Sequence, residues 1–289
     1  MKLIKKIALS WVILLPCFSL TQAAVPGLEI QCGFEQSSGF HYGYCIHEMK
    51  GSVSKDVLFY FHGIGGSEYD WQKSDLLQKT YASWGIVAPA VISISYGSLW
   101  LLASQNTSRY SGLYEHFLKQ ALPKLEEKLK VHPQHRLLMG LSMGGFNASQ
   151  IYLKNPELFS KIIFACPAIS SLSPFADEVK VEAYVDRTHA SLFNVEQANL
   201  LTRVYFPNVN SWSKADPLVI ANQVITSQFP SIYVSCGESD EYGFFEGAKL
   251  LTDAAVKHGA HAILKLVPGK HCSYDAEAGA AFVIGSTQL

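Results

Sequence analysis

Neither sign of charge prevails in the 289-residue sequence. There are 23 basic and 24 acidic residues, and charged side chains make up only 16% of the chain. Such a chain carries no electrostatic footprint for nucleic acid and no polybasic patch for a membrane surface. The Cys-x-x-Cys and His-Glu-x-x-His spacings of zinc sites are absent, so neither a metal nor an organic cofactor is expected. Internal repeats, low-complexity segments and linkers are also missing, which excludes solenoids and argues against a string of small domains. The apolar run Ile7–Leu20 spans about 14 residues, too few for a comfortable membrane crossing.

That run has a different use. Lys2, Lys5 and Lys6 precede it, and Thr21-Gln22-Ala23 follows with small residues at −3 and −1. This is the plan of a secretory signal peptide over residues 1–23, cleaved after Ala23, with Ala24 as the neighbouring alternative. A retained membrane anchor is the other reading of the run. Pro16 immediately before Cys17 is a poor lipoprotein signal. Cleavage leaves 20 basic against 24 acidic residues, a net charge of −4, and no membrane insertion. The protein is then secreted or periplasmic, where disulfides persist. Five cysteines remain. Cys32 and Cys45 lie in adjacent extended segments and are expected to pair; Cys236 and Cys272 near the ends of two late strands form a second candidate pair, leaving Cys166 as a small core residue.

With 48% hydrophobic residues the mature chain can bury a sizeable core. Two extended segments, Leu28–Phe34 and Tyr42–Met49, flank a Ser/Gly-rich turn and read as a hairpin. Val57–Phe61 is uniformly apolar, the pattern of a strand buried on both faces. Further strands are predicted at Val91–Tyr96, Arg136–Leu141, Lys161–Ala165, Ser231–Ser235 and Ala262–Val267. Helical patterns separate them: Ser74–Trp84, Tyr114–Lys130 with a break at Pro123, a helix ending near Lys154, Phe244–His258 and Ala276–Ile284. Alternating strands and helices predict a mostly parallel sheet covered on both faces, one α/β domain over residues 24–289. Residues 171–228 have weak periodicity and are too long for a plain loop, so they are expected to form a cap-like insertion over the sheet's C-terminal edge.

Within this frame stands Gly140-Leu141-Ser142-Met143-Gly144 between a strand and a helix. Glycines on both sides leave room for a serine on a sharp turn, the nucleophile-elbow pattern. Two glycines and a serine at fixed spacing arise by chance in roughly one chain in ten of this length, so partners must decide. A serine hydroxyl needs a base, and the base an orienting carboxylate, in the order Ser, acid, His. His271 follows the last strand at the C-terminal edge, whereas His258 and His261 fall at the opposite edge and His189 in the insertion. Asp240 lies in the loop after Ser231–Ser235, with Gly237 permitting a turn back to the sheet. Glu238 and Glu241 are its nearest rivals and Asp216 a distant one. The oxyanion hole is assigned to the N–H groups of Met143 and Ile64, with Gly63 or Gly65 as alternatives to Ile64. Tyr96, Trp100 and Tyr242, with Leu101 and Leu102, are candidates for the substrate pocket, or for ordinary packing beneath the insertion.

These motifs resemble the α/β-hydrolase superfamily and, within it, the putative esterase group that includes esterase D and antigen 85-like acyl enzymes. The likeness rests on Phe61-His62-Gly63-Ile64-Gly65-Gly66-Ser67 with Asp70-Trp71, on Gly140–Gly145, on Asn155-Pro156-Glu157-Leu158-Phe159, on Gly237–Asp240 and on Pro268–His271. It implies a serine carboxylesterase acting through a Ser-His-Asp triad and an acyl-enzyme on a small-molecule or lipid-like ester, and the N-terminal signal pattern makes it a secreted one. An acyltransferase or a serine peptidase on the same triad is the alternative. Export itself is checked by the intact mass of the exported protein, which is expected to begin at Ala24; a product that still carries Met1–Ala23 refutes the cleavable signal.

Overall fold

The computed structural model describes residues 25–73, 75–97, 102, 112–129 and 132–285; the segment expected to be a signal peptide, residues 1–23, and Trp100 lie outside them. The chain opens with a hairpin, β1 (Leu28–Ser37) and β2 (Phe40–Met49). Its two-residue turn, Ser38-Gly39, has φ of 49° and 81°, the doubly left-handed turn that matches the twist of paired strands. Cys32 faces Cys45 directly in this register, and the two are joined by a disulfide.

Next come β3 (Val57–Phe61), α1 (Asp70–Lys73), α2 (Asp75–Trp84) and β4 (Ala90–Ser95). The helix expected over Tyr114–Lys130 is interrupted. α3 (Leu113–His116) and α4 (Leu122–Glu127) flank a wider turn over Phe117–Ala121, in which the Leu122 N–H donates to the Phe117 carbonyl. Pro123 causes this, because it has no N–H and its ring would strike the carbonyl four residues back in a regular helix. Then follow β5 (Arg136–Leu141), α5 (Met143–Lys154) and β6 (Lys161–Ala165).

Residues 171–228 hold more structure than their periodicity suggests. They contain α6 (Glu178–Thr188), α7 (Leu192–Tyr205), α8 (Val209–Ser213) and α9 (Pro217–Val224). Each starts at a capping side chain: Asp177, Ser191, Asn208 and Asp216 accept from the N–H of Lys180, Asn194, Ser211 and Leu218. These caps are visible in the sequence even where the apolar stripe is not. The chain closes with β7 (Ser231–Gly237), α10 (Phe244–Lys257), β8 (Ala262–Val267) and α11 (Ala276–Val283).

The eight strands form one sheet in the order β1-β2-β4-β3-β5-β6-β7-β8. β1 and β2 are antiparallel at one edge, and β3 to β8 run parallel. Alternate residues of β3 serve opposite faces. Val57, Phe59 and Phe61 join a core with Phe117, Phe146, Ile151 and Leu251, beneath α5, α9 and α10. Leu58 and Tyr60 join Trp71, Tyr81, Trp84 and Phe282 beneath α2 and α11. Burial on both sides is why these strands read as unbroken apolar runs. No helix among the described residues is long and apolar enough to cross a membrane.

The parallel arrangement puts the C-terminal ends of β5, β6, β7 and β8 side by side, so the loops after them share one rim. The Cys32–Cys45 link ties the edge hairpin across a sequence separation of 13. Replacing either cysteine by serine is expected to lower stability by about 2–4 kcal/mol, read as a lower urea midpoint. An unchanged midpoint would show that the hairpin does not depend on it.

Candidate active site

Ser142 occupies the junction between β5 and α5 with φ 53° and ψ −116°. A positive φ is strained for a residue with a Cβ, at a cost on the order of 1–3 kcal/mol. Its own backbone bonds offset the strain. Its N–H donates to the Ala165 carbonyl at 3.0 Å, and its carbonyl accepts from Gly145 at 2.8 Å and Ala168 at 2.8 Å, each bond worth about 1 kcal/mol. The flanking glycines are needed for closeness, not for φ. A Cβ on Gly140 would lie 2.2 Å from the Gly144 carbonyl oxygen, and one on Gly144 would lie 2.1 Å from that of Phe61. No side chain fits between the turn and the ends of β3 and β5.

The Ser142 Oγ lies 2.8 Å from Nε2 of His271. Nδ1–H of the same ring donates to Oδ2 of Asp240 at 2.7 Å. Asp240 is buried at 1% exposure, and its Oδ1 accepts from the Tyr242 N–H at 2.8 Å. The imidazole is held on its flanks by Tyr242 and Phe244, whose ring centroids stand 4.8 and 5.5 Å away. Burial on its own pushes the His271 imidazole down; the Asp240 carboxylate and the neighbouring Cys272 outweigh it and raise the group to about 10.

The sequence assigned Gly237 to a turn. It is instead the last residue of β7, and its missing side chain lets another loop pass: a Cβ there would meet the Lys270 carbonyl oxygen at 2.2 Å. The acid loop and the histidine loop are laced together by Glu238 N–H to Val267 O and Ser239 N–H to Gly269 O. The other carboxylates have separate places. Glu241 accepts the His271 backbone N–H at 2.8 Å, and that contact holds the Glu241 carboxyl below its usual range. Glu238 is exposed, and Asp216 caps α9. His189 and His258 end α6 and α10, and His261 precedes β8.

Met143 opens α5, where a main-chain N–H has no acceptor within its own helix. Ile64, in the loop after β3, and Met143 both border a cavity of about 510 Å³ together with Ser142 and His271. The Ile64 loop is anchored by buried His62: Nδ1–H donates to the Gly63 carbonyl at 2.7 Å, so Nε2 accepts from the Ser95 hydroxyl at 2.9 Å. Burial pushes His62 below its ordinary value, in keeping with that neutral tautomer.

With a serine, imidazole and carboxylate aligned beside such a cavity, the family comparison becomes informative. The family described as Putative esterase matches residues 42–282. The chain belongs to this esterase family. It is a carboxylic ester hydrolase. Among solved structures, it is similar to brefeldin A esterase, a bacterial homologue of human hormone sensitive lipase (TM-score 0.66, 15% identity, covering 97% of this chain and 79% of that one). It is also similar to the S-formylglutathione hydrolase of Agrobacterium tumefaciens (0.64, 15%, 91% and 94%). A third is a thermophilic, thermostable carboxylesterase cloned from a metagenomic library (0.64, 18%, 90% and 90%). At such identities the likeness establishes the α/β-hydrolase fold.

In this esterase, Tyr242 borders the cavity. Tyr96 is not among its lining residues. Its hydroxyl is bound to Nδ1 of His116 at 2.8 Å, and its ring packs on Tyr42. Leu102 is likewise buried in the main core. Trp100 and Leu101 lie outside the described residues. The cavity wall that sequence reasoning missed comes from the insertion: Leu172, Val195, Leu201 and Trp212. The Cys236–Cys272 pairing does not form. Cys236 is buried within β7 opposite Leu266 of β8, whereas Cys272 lies beyond β8 and faces Cys166.

If Ser142 is the nucleophile and His271 its base, the serine can lose its proton only to the neutral imidazole, and turnover falls as pH drops through the imidazole's pKa. The acid limb of the kcat/KM profile is therefore expected on the alkaline side of free imidazole, about 6.5. Asp240→Asn removes the charge that holds the proton and should move the limb to lower pH while reducing kcat on the order of 10⁴-fold. A limb that stays in place in Asp240→Asn would show that the carboxylate does not act through His271.

Proposed function

We propose that the protein is an exported serine esterase in which Ser142, His271 and Asp240 are the catalytic triad. The single observation that carries this reading is the continuous chain from Ser142 Oγ to His271 Nε2 at 2.8 Å and from His271 Nδ1 to Asp240 at 2.7 Å, opening on the cavity. As Ser142 Oγ attacks the ester carbonyl carbon, its proton passes to Nε2, and the carbonyl π electrons collect on oxygen. The N–H groups of Met143 and Ile64 receive that oxyanion, aided by the positive end of α5. Asp240 stabilises the imidazolium and keeps Nδ1 protonated.

Collapse of the tetrahedral intermediate breaks the bond to the alcohol oxygen, which takes the proton from Nε2 and leaves. Water, deprotonated by the same nitrogen, then attacks the acyl-enzyme and releases the acid and Ser142. Residues 171–228 serve as a cap, and its apolar side chains receive the acyl or alcohol portion of a small or lipid-like ester. The Cys32–Cys45 disulfide supports an oxidising compartment, secreted or periplasmic. An alcohol in place of water would make the same intermediate an acyl donor.

Hydrolysis of a short-chain p-nitrophenyl ester tests the assignment. Ser142→Ala is expected to lose essentially all turnover while keeping its thermal midpoint, and undiminished turnover would sink it. Products formed with and without added alcohol separate hydrolysis from acyl transfer.

A further inference from the structure

Behind the triad lie two cysteines that the reaction does not use. Cys166 directly follows β6, and Cys272 directly follows His271. A sulfur of each and one ring nitrogen of His271 all lie within 4.8 Å of one another. More than a hundred positions separate Cys166 from the other two, so no local spacing announces the cluster. Cys166 is fully buried, and Cys272 borders the cavity beside Ser142 and His271. Both cysteines have left-handed backbones, φ 40° and 63°, and neither position is a glycine. The Cys166 N–H is tied to the Ser235 carbonyl at 2.7 Å, and the His271 N–H to Glu241 at 2.8 Å, so rigid elements hold both sides of the cluster.

Two sulfurs and an imidazole nitrogen are the donor set of Zn²⁺ and its softer relative Cd²⁺. Mg²⁺ and Ca²⁺ require oxygen donors instead. Zinc bonds of about 2.3 Å to sulfur and 2.0 Å to nitrogen put tetrahedral ligands about 3.6–3.8 Å apart. The present separations therefore need to close by no more than about 1 Å, and Cys272, on the cavity side, has room to move.

We propose that Cys166, Cys272 and the imidazole of His271 form a binding site for one thiophilic divalent cation, and that its occupation switches the esterase off. The inhibitory half of this inference rests on the catalytic role proposed for His271. Each of the two ring nitrogens has an assigned partner, Ser142 or Asp240. A cation bound to either one removes the base or its orienting contact. Binding releases the remaining thiol protons to solvent, and nothing is oxidised or reduced.

The test uses the mature protein, reduced and stripped of metal. Cd²⁺ is titrated while the ultraviolet thiolate-to-cadmium charge-transfer band is followed without substrate. In parallel, ester hydrolysis is measured against Zn²⁺. The band is expected to saturate at one Cd²⁺ per chain, and Zn²⁺ to inhibit with the same stoichiometry. EDTA should restore activity, and Mg²⁺ should do nothing. Cys166→Ala and Cys272→Ala should each lose the band and raise the half-inhibitory Zn²⁺ concentration at least about tenfold, while Cys236→Ala responds like wild type. Absence of the band in wild type overturns the site, and that arm needs no variant to fold. So do unchanged Zn²⁺ sensitivity in both folded cluster variants, or a thiol count showing Cys166 and Cys272 joined as a disulfide before reduction. A protein that gives the band but hydrolyses no ester keeps the site and sinks the catalytic reading; one that hydrolyses esters without the band sinks the site alone.

Discussion

Everything at the site depends on one strained turn. Ser142 can hold a positive φ because the chain around it closes tightly enough to supply three short backbone hydrogen bonds. That closeness exists only because Gly140 and Gly144 have no side chains to separate α5 from the ends of β5 and β3. The individual bonds are ordinary, about 1 kcal/mol each, and the strain they offset is of similar size. The result is a hydroxyl projected from a rigid strand-helix junction, next to the N-terminus of α5, with little freedom to relax.

The rest of the triad is brought to that hydroxyl by the parallel sheet. β5, β6, β7 and β8 are consecutive neighbours in it, so the loops bearing Ser142, Cys166, Asp240 and His271 leave from one rim although they are scattered over much of the chain. Gly237 is the second close approach on which the site depends. With any larger residue there, the Gly269–Lys270 backbone would be pushed off β7, and Nδ1 of His271 would leave Asp240. Glu241 then fixes the histidine's main chain while Asp240 fixes its ring, so two adjacent carboxylates divide the task. The same convergence puts the two thiols beside the imidazole, so the proposed catalytic base is also the nitrogen donor of the proposed metal site.

Much of this was legible beforehand. The strands showed because burial on both faces writes itself as an unbroken apolar run, as in Val57–Phe61. Ser142, Asp240 and His271 could be proposed together because each follows a segment that reads as a strand, β5, β7 and β8. The turn at Ser38-Gly39 showed because few residues tolerate positive φ. Less legible was the insertion. Its helices bury narrow or irregular faces, so periodicity fell short, although Asp177, Ser191, Asn208 and Asp216 marked their starts. Tyr96 was left open between pocket and packing because an aromatic residue after a strand can turn toward the cavity or toward the core; here His116 of α3 holds its hydroxyl on the core side.

The amino-acid sequence alone determined the class of fold, the strand-to-helix turn that carries Ser142 and the disulfide of the opening hairpin, because each follows from local pattern: apolar runs, glycines around a serine, cysteines facing each other across a turn. Only the tertiary structure decided that Gly237 serves a neighbouring loop, that Cys272 faces Cys166 and not Cys236, and that the cavity wall belongs to α7 and α8. These are contacts between segments far apart in the chain. They depend on how the sheet orders its strands, and no local spacing encodes that order.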